Sequence, residues 1–544
     1  MKNISENLNN ELWWKGAVVY QIYLRSFLDS NGDGIGDLPG VKAKLQYVSN
    51  LGVDAIWLSP FYESPMFDYG YDIKNYRKVD PIFGDLQDFK ELVSEAHGLG
   101  LKVIVDQVLS HTSREHPWFI ESNKSKENKY ANWYVWADPK DDGTPPNNWL
   151  SMFGEAAWTW SSNRSQYYLR KFFHCQPALN FHNQEVQQAQ LENVEFWLQL
   201  GVDGIRLDVI NFLFHRQDLK DNPPTGIEEC NSIQASSHMP FSYQKHIYDI
   251  SQPETIPFLN RLRALLDKYG AISIGEISAV EPIDVLTEYT EGSDRLNMAY
   301  TFSLLRKRKS PEYIKSVIEE TKKKANDGWA CWALSNHDVV RSVSRWGNGG
   351  RNDSLQKVLL AMMLSLKGSY CIYQGEELGL PDGIVPDELV TDPLANPFWP
   401  KYKGRDGCRT PMPWNNKENG GFTTGEPWLP LDTNHIDINV LTQSQTQKSC
   451  LRWFESFLNW RKAFKNIWVA DLELLELHEK IVSWVRTDGE DKLLMVFNIL
   501  PDTIVINMIP PIVKVLDGHG FQHHLNDTKV LTLPPYQAFY AHIR

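Results

Sequence analysis

Four short apolar runs end in ionisable side chains. One closes on Asp106 and is followed by His111. GIRLDV (204–209) carries Arg206 and Asp208, IGEI (274–277) carries Glu276, and SNHD (335–338) supplies Asn336, His337 and Asp338. A carboxylate inside an apolar strand is costly to bury unless it is paired or put to use. A structural ion pair accounts for one such group, but poorly for several converging on one rim. Asp208, Glu276 and Asp338 come from different runs and could share one site. Two carboxylates suffice for glycoside hydrolysis: one attacks and the other protonates the leaving oxygen. A third would raise the pKa of the acid by like-charge repulsion and bind sugar hydroxyls. Arg206, two residues before Asp208, projects to the same side of its strand and could keep that neighbour ionised.

A repeat along the chain must position these groups. A helix-period stretch ends in Gly and a β-rich run follows, as LGVDAIWLSP (51–60), LGLKVIVDQV (99–108), LGVDGIRLDV (200–209) and YGAISIGEIS (269–278). Before the second of these, Phe89, Leu92, Val93, Ala96 and Leu99 fall on one helical face. The Gly suits a left-handed helix C-cap. The runs IWL, VIVD and ISIG are nearly all apolar, as strands buried on both faces should be. VVYQIY (18–23), DRLNMAY (294–300), ACWALSN (330–336) and SYCIYQG (369–375) bring the strands to eight. Alternating α and β at this count predict an α/β fold with a parallel sheet closed as a (β/α)8 TIM barrel. A doubly wound open sheet is the alternative, although no GxGxxG marks a dinucleotide site.

Two segments interrupt the repeat, and the pattern changes near the end. Residues 112–180, rich in Asn, Pro, Trp and Lys, are read as a small domain inserted over the barrel mouth after strand 3. A shorter polar insertion, 215–245, follows strand 4. After about residue 470 come the period-two runs IVSWVRT, LLMVFNI, TIVINM and VLTL, read as a C-terminal antiparallel β domain that serves stability. The expected division is thus barrel in 1–111 and 181–469, insertion in 112–180 and β domain in 470–544.

Composition narrows the class. The chain has 544 residues, 42% hydrophobic and 23% charged, which fits a soluble globular protein and excludes a disordered chain, a collagen or a small disulfide scaffold. Its net charge of −13 counts against nucleic acid or an anionic membrane surface as partner. RKRK (306–309) and KKK (322–324) are read as solvated helix ends. The N-terminal stretch lacks the apolar core of a signal peptide, and the longest apolar run, Val358–Leu364, is far short of the roughly 20 residues of a membrane helix. Cys175, Cys230, Cys331, Cys371, Cys408 and Cys450 form no CxxC pair and are read as reduced thiols of a cytoplasmic protein. Twenty Trp hint at flat platforms for sugars. Asp382, in the loop after strand 8, is read as a surface acid, with the edge of an acceptor site as the alternative.

Asp29-Ser-Asn31-Gly-Asp33-Gly-Ile35-Gly-Asp37 places an oxygen side chain at alternate positions, and the Ile35 carbonyl would add a further ligand. The run matches the first half of a calcium loop of the EF-hand kind. Its twelfth position is Gly40 rather than Glu, which departs from that motif. An ion-free turn rich in Asn, Asp and Gly is the competing reading.

The motifs DQVLSH (106–111), GIRLDV, IGEI and SNHD, in that order and at strand ends, resemble those of glycoside hydrolase family 13, the α-amylase superfamily. QIYLRSF, WLSPFYESP, YGYDIKNY and QGEELG are similar to its α-glucosidase and oligo-1,6-glucosidase branch, and the likeness runs over essentially the whole chain. The resemblance implies Asp208 as nucleophile, Glu276 as general acid/base and Asp338 as a third carboxylate gripping sugar hydroxyls. It implies that His111, His337 and Arg206 line the site of the transferred glucose and that Tyr71 is its stacking platform. Asp68 with Arg405 would close the pocket behind the non-reducing end, so that action is exo. Double displacement would retain the anomeric configuration. Resembling enzymes hold calcium or magnesium in the loop of Asp29, Asn31, Asp33, Ile35 and Asp37, which implies a structural ion. The expected partner is a small oligosaccharide or glucoside, with no nucleic acid and no membrane, acted on by a monomer or homodimer.

The linkage signals disagree. In the resembling branch Val after the nucleophile goes with α-1,6 bonds, so the resemblance leans Val209 that way; against it, Ala178 in QPALN stands where the α-1,6 enzymes show Asp, and SNHDVVR is similar to α-1,4-preferring or glucosyl-transferring members. Sucrose isomerase is a second reading within the family, although DRLNMAYTF stands where an arginine-rich isomerase motif would be. Outside enzymes, transporter-partner subunits of the same fold lack the carboxylates and carry a membrane helix. A plain carbohydrate-binding protein would have no reason for the acid trio.

Overall fold

The computed structural model describes residues 12–226, 239–305, 310–325, 327–347, 349–507, 509–526 and 530–544. Cys230 and the RKRK run lie outside the described residues, as does part of the 215–245 insertion.

Eight parallel strands form the core: β1 (Val18–Ile22), β2 (Ala55–Leu58), β3 (Lys102–Gln107), β4 (Gly204–Leu207), β5 (Ile272–Ile277), β6 (Met298–Thr301), β7 (Cys331–Ala333) and β8 (Ser369–Tyr373). They pair in the order β6-β5-β4-β3-β2-β1-β8-β7. A parallel bridge between Ala299 and Ala330 joins the two ends, so the sheet is a nearly closed (β/α)8 barrel. Lys102 and Thr301 are the two strand residues that are not buried. Burial on both faces is why these runs show no alternation.

Helices follow the strands in turn: α1 (Leu38–Asn50), α2 (Leu86–Gly98), α3 (Gln184–Leu198), α4 (Thr255–Tyr269), α5 (Pro282–Thr290), α6 (Pro311–Lys324), α7 (Asp353–Met363) and α8 (Cys450–Lys462). In α2, the Asp85 side chain accepts from Gln87 and Asp88 backbone N–H groups and Asp88 answers as a capping box. Phe89, Leu92, Val93 and Ala96 form its buried face. Gly52, Gly100, Gly201 and Gly270, where the repeat turns from helix to strand, all have φ between 63° and 91°. A residue with Cβ is strained there.

The insertion after β3 carries a helix, Pro117–Ser122, and a three-stranded antiparallel sheet of Trp136–Ala137, Gln166–Leu169 and Trp158–Ser161. The C-terminal part is a five-stranded antiparallel sheet ordered Asp471–Leu474, Val482–Asp488, Asp491–Asn498, Gln537–Ile543 and Ile512–Val515, backed by a three-stranded one. Sequence reading passes over Gln537–Ile543, whose two faces pack into different cores. Ala538 and Tyr540 join the cluster shared with the barrel helices, whereas Phe539 and Ala541 face the smaller sheet.

Candidate active site

Arg206, on β4, is fully buried and organises three carboxylates. Its Nη1 donates to Asp106 Oδ1 and Oδ2 at 2.9 and 3.1 Å and to Asp208 Oδ1 at 2.8 Å. Its Nη2 lies 2.5 Å from Glu276 Oε2 and donates to the Tyr300 hydroxyl at 2.7 Å. Tyr300 in turn donates to Glu276 Oε1 at 2.8 Å. One guanidinium therefore bridges the carboxylates at the ends of β4 and β5.

Sharing that charge has an electrostatic cost. Burial pushes Asp208 up, and the charges of Asp106 and Asp338 add to it, so Arg206 does not hold it in the usual carboxylate range as the sequence suggests. Burial likewise pushes Glu276 up to about 7, with Arg206 opposing and Asp208 and Asp338 reinforcing. Asp106 is pushed to about 6 by burial against the pull of Arg206. Two buried acids poised near neutrality beside each other favour one proton between them.

The chain leaves β4 under strain. Val209 sits at φ 34° and ψ 56°, a left-handed conformation that costs a β-branched residue roughly 1–2 kcal/mol. Its N–H thereby points at Glu276 Oε2, 3.2 Å away.

Asp338, past β7, is set differently. Its Oδ1 accepts from Arg409 Nη2 at 2.8 Å and from Arg405 Nη1 at 3.1 Å, and His337 Nε2 lies 3.3 Å from Oδ2. Burial would push it up, but the His337, Arg405 and Arg409 neighbours more than offset this and hold it well below the usual carboxylate range. Burial pushes His337 down to about 3, so the ring is neutral and the two arginines supply the charge. The His337 ring is stacked between Tyr71, at 5.3 Å, and Tyr23, at 5.6 Å, and its Nε2 lies 2.7 Å from the Tyr71 hydroxyl.

A polar wall closes one end of the site. Arg405 Nη2 donates to Asp68 Oδ1 at 3.0 Å, and Gln176 Nε2 donates to Asp68 Oδ2 at 3.0 Å. Asp392 fixes Arg405 by accepting from its Nε and Nη2, both at 2.9 Å. His111 Nε2 lies 3.0 Å from the Tyr71 carbonyl oxygen, and burial pushes its pKa down to about 4.

These groups surround a cavity of about 690 Å³ at the C-terminal ends of the strands. Asp68, Tyr71, His111, Asp208, Glu276, Asp338 and Arg405 line it, so seven of the predicted site residues meet there. Arg206 and His337 stand behind the wall, fully buried, rather than on it. Sequence reasoning missed Asp392, Arg409, Gln176 and Tyr300. The two arginines four residues apart in GRDGCRTPMPW were a signal for Arg409; Asp392 lies in a loop without one. Asp382 is no surface acid: it lines the cavity and accepts the Arg341 N–H at 2.6 Å.

The 29–37 loop lies elsewhere and turns its oxygens on itself. Asp29 Oδ1 accepts from the N–H groups of Asn31 and Gly32, and Oδ2 from that of Gly34 and from the Thr423 hydroxyl. Asp33 accepts from the Ile35 N–H and the Asn31 amide, and Asp37 caps α1 by accepting from the Gly40 N–H. Among the described residues no three His, Cys, Asp or Glu side chains group to hold a metal. The donor set fits a cation in part: the four acceptor positions of Asp29 are filled, while Asp33 keeps lone pairs free.

A (β/α)8 barrel with acidic groups from β4, β5 and β7 at its C-terminal mouth has the make-up of a glycoside hydrolase. The family model for the alpha amylase catalytic domain matches residues 21–470. A probable alpha-glucosidase of Rhizobium meliloti is 48% identical over 98% of this chain and 97% of its own length. The oligo-1,6-glucosidase of Heyndrickxia coagulans is 37% identical over 97% of this chain and 98% of its own. Among solved structures, an alpha-glucosyl transfer enzyme superposes with a TM-score of 0.96 at 49% identity, covering 98% of this chain and 99% of that one. The isomaltulose synthase of Klebsiella sp. LX3 does so with 0.88 at 30%, again covering 98% and 99%. The chain belongs to glycoside hydrolase family 13, the α-amylase family, among relatives named α-glucosidase and oligo-1,6-glucosidase. Among the described residues no helix is long and apolar enough to cross a membrane.

Proposed function

We propose that this enzyme is an exo-acting, retaining α-glucosidase that releases α-D-glucose from the non-reducing end of short α-glucosides. The observation that carries the reading is the Arg206 bridge between Asp208 and Glu276, set beside a cavity end closed by Asp68 and Arg405. Asp208 attacks C1 of the glucose while Glu276 protonates the departing oxygen, leaving a glucosyl ester on Asp208. Glu276 then takes a proton from water, which attacks C1 from the opened face and frees Asp208. Asp338, kept ionised by its arginines, binds the sugar hydroxyls. When another sugar hydroxyl replaces water, the glucose is transferred. The relative named an alpha-glucosyl transfer enzyme supports that second outcome.

The test is glucose release from maltose, isomaltose and sucrose, with the product anomer followed by NMR. Initial release of α-glucose supports the reading, and the ranking of the three sugars decides between α-1,4 and α-1,6 preference. Initial β-glucose, or isomaltulose formed from sucrose with little glucose, sinks it.

Two further parts belong to this reading. A structural calcium or magnesium ion is held by the loop, with Asn31, Asp33 and Asp37 supplying oxygens and the Asp29 contacts rearranging around it. The enzyme works in the cytoplasm, as a monomer or homodimer. Its five described cysteines are all free, which supports a reducing compartment.

A further inference from the structure

The chain leaves β4 through a short helical turn, Ile210–Phe212, and each residue from Val209 to Phe212 is held by a different partner. The Val209 N–H donates to Glu276 Oε2 at 3.2 Å. The Ile210 side chain lies against β5, where a Cβ added at Gly275 would stand 3.2 Å from its Cγ2. The Asn211 amide ties the turn to the exit of β5. Its Nδ2 donates to the Ser278 carbonyl at 2.8 Å and to Ser251 Oγ at 3.0 Å, and its Oδ1 accepts the Ser278 N–H at 3.3 Å. The Phe212 ring stacks on Phe172 of the insertion, 5.5 Å away.

A cation from the insertion meets the carbonyls at the end of the turn. Lys171 Nζ donates to those of Phe212 at 2.6 Å, Phe214 at 3.4 Å and Asp249 at 2.7 Å. The three donors of the ammonium are thus all spent on backbone oxygens. Asp249 is the charged group that acts on Lys171, whose own charge bears on His215 and His111. Lys171 is buried, and burying a cation is costly. An apolar side chain would fill the same space without that cost; what the ammonium adds is a fixed hold on the turn. The left-handed backbone of Val209 needs such a hold, because a strained residue keeps its conformation only where its surroundings over-determine it.

We propose that Lys171 and Asn211 are positioning residues: they hold the turn after β4 from the insertion and from β5, and so keep Asp208 and Glu276 at their working separation. The inference rests on the α-glucosidase reading and adds to it what sets the geometry of the acid pair.

Lys171→Met keeps an unbranched stem and removes the clasp. Asn211→Ala removes the tie to Ser278 without changing any charge. Both are measured on the full chain as kcat, KM and the pH profile of kcat/KM, on the better wild-type substrate of maltose and isomaltose. In each, kcat is expected to fall about tenfold or more, with KM within about threefold of wild type. A freed turn withdraws the Val209 N–H from Glu276. The ionised carboxylate then loses a donor, its pKa rises, and the alkaline limb moves up by about half a pH unit or more. Arg206, Asp208, Asp338 and Tyr300, which also act on Glu276, are unchanged in both variants. A merely destabilised fold lowers kcat through fewer active molecules and leaves the limb in place. That result in either folded variant overturns the inference, as does a wild-type kcat, and the α-glucosidase reading survives both. That reading falls, and the inference with it, if folded wild-type protein turns over no α-glucoside. The two variants reach the turn from opposite sides, so one that fails to fold leaves the other to decide.

Discussion

The backbone N–H of Val209 donates to Glu276 Oε2 across 3.2 Å. The residue after one carboxylate thus reaches the other, and the Arg206 guanidinium bridges the same pair. A strained peptide and a shared cation together fix the placement of Asp208 against Glu276. A displacement mechanism depends on that placement.

Asp208→Asn is expected to lose nearly all turnover, and Glu276→Gln about 10³-fold on maltose, both with unchanged circular dichroism. With an activated aryl leaving group, Glu276→Gln should lose far less, because that group departs without a proton. Equal losses on the two substrates would remove Glu276 from the role of acid.

The pH dependence follows from the same burial. Glu276 must enter the reaction protonated, and its pKa is pushed up to about 7. Therefore kcat/KM falls as pH rises through about 7. Asp208 must be ionised, and its pKa is also raised, so activity falls on the acid side at a higher pH than for an ordinary carboxylate. Asp338 is held low and stays ionised throughout. The measurement is kcat/KM against pH; an alkaline limb above about pH 9 contradicts the assignment.

Asp392 accepts from the Arg405 side chain and from its backbone N–H. Asp392→Ala leaves Arg405 free to swing from Asp68 and Asp338, and kcat/KM is expected to drop about 10- to 100-fold. Steady-state kinetics beside a melting curve check it: full activity in the variant would show that the closed end holds without this carboxylate.

Removing divalent cations with a chelator is expected to lower the melting temperature by about 4 °C or more and to leave the pH limbs of the residual activity in place. Metal analysis of the purified protein is the companion measurement. Protein free of calcium and magnesium, with a melting curve indifferent to both, would leave the 29–37 loop as a plain turn.

Where burial on both faces makes strands continuous in apolar residues, the fold was legible. Trp57 and Ile104 announce β2 and β3 without any alternation. Gly52 and Gly100 mark the preceding turns by needing left-handed backbone. The acidic groups were legible because Asp208 and Glu276 stand in runs that are apolar apart from Arg206. Asp392 was not, since a loop acid looks like any solvated one until Arg405 folds over it. The effect of Arg206 on Asp208 was read in the right direction but without what opposes it: in the barrel, burial and the charges of Asp106 and Asp338 outweigh its pull, and Asp106 and Glu276 share its charge. Gln537–Ile543 hid because its two faces serve two different cores.

The closure of the barrel is uneven. Neighbouring strands such as β5 and β6 share four residue pairs, from Ile274–Met298 to Ile277–Thr301. Between β6 and β7 the continuity rests on the Ala299–Ala330 bridge and the bond from the Ala299 N–H to the Trp329 carbonyl. A ring breaks at its thinnest link. Transient parting of the staves would begin at this seam, and the Ala299 amide would trade its proton for deuterium ahead of its counterparts deeper in the ring.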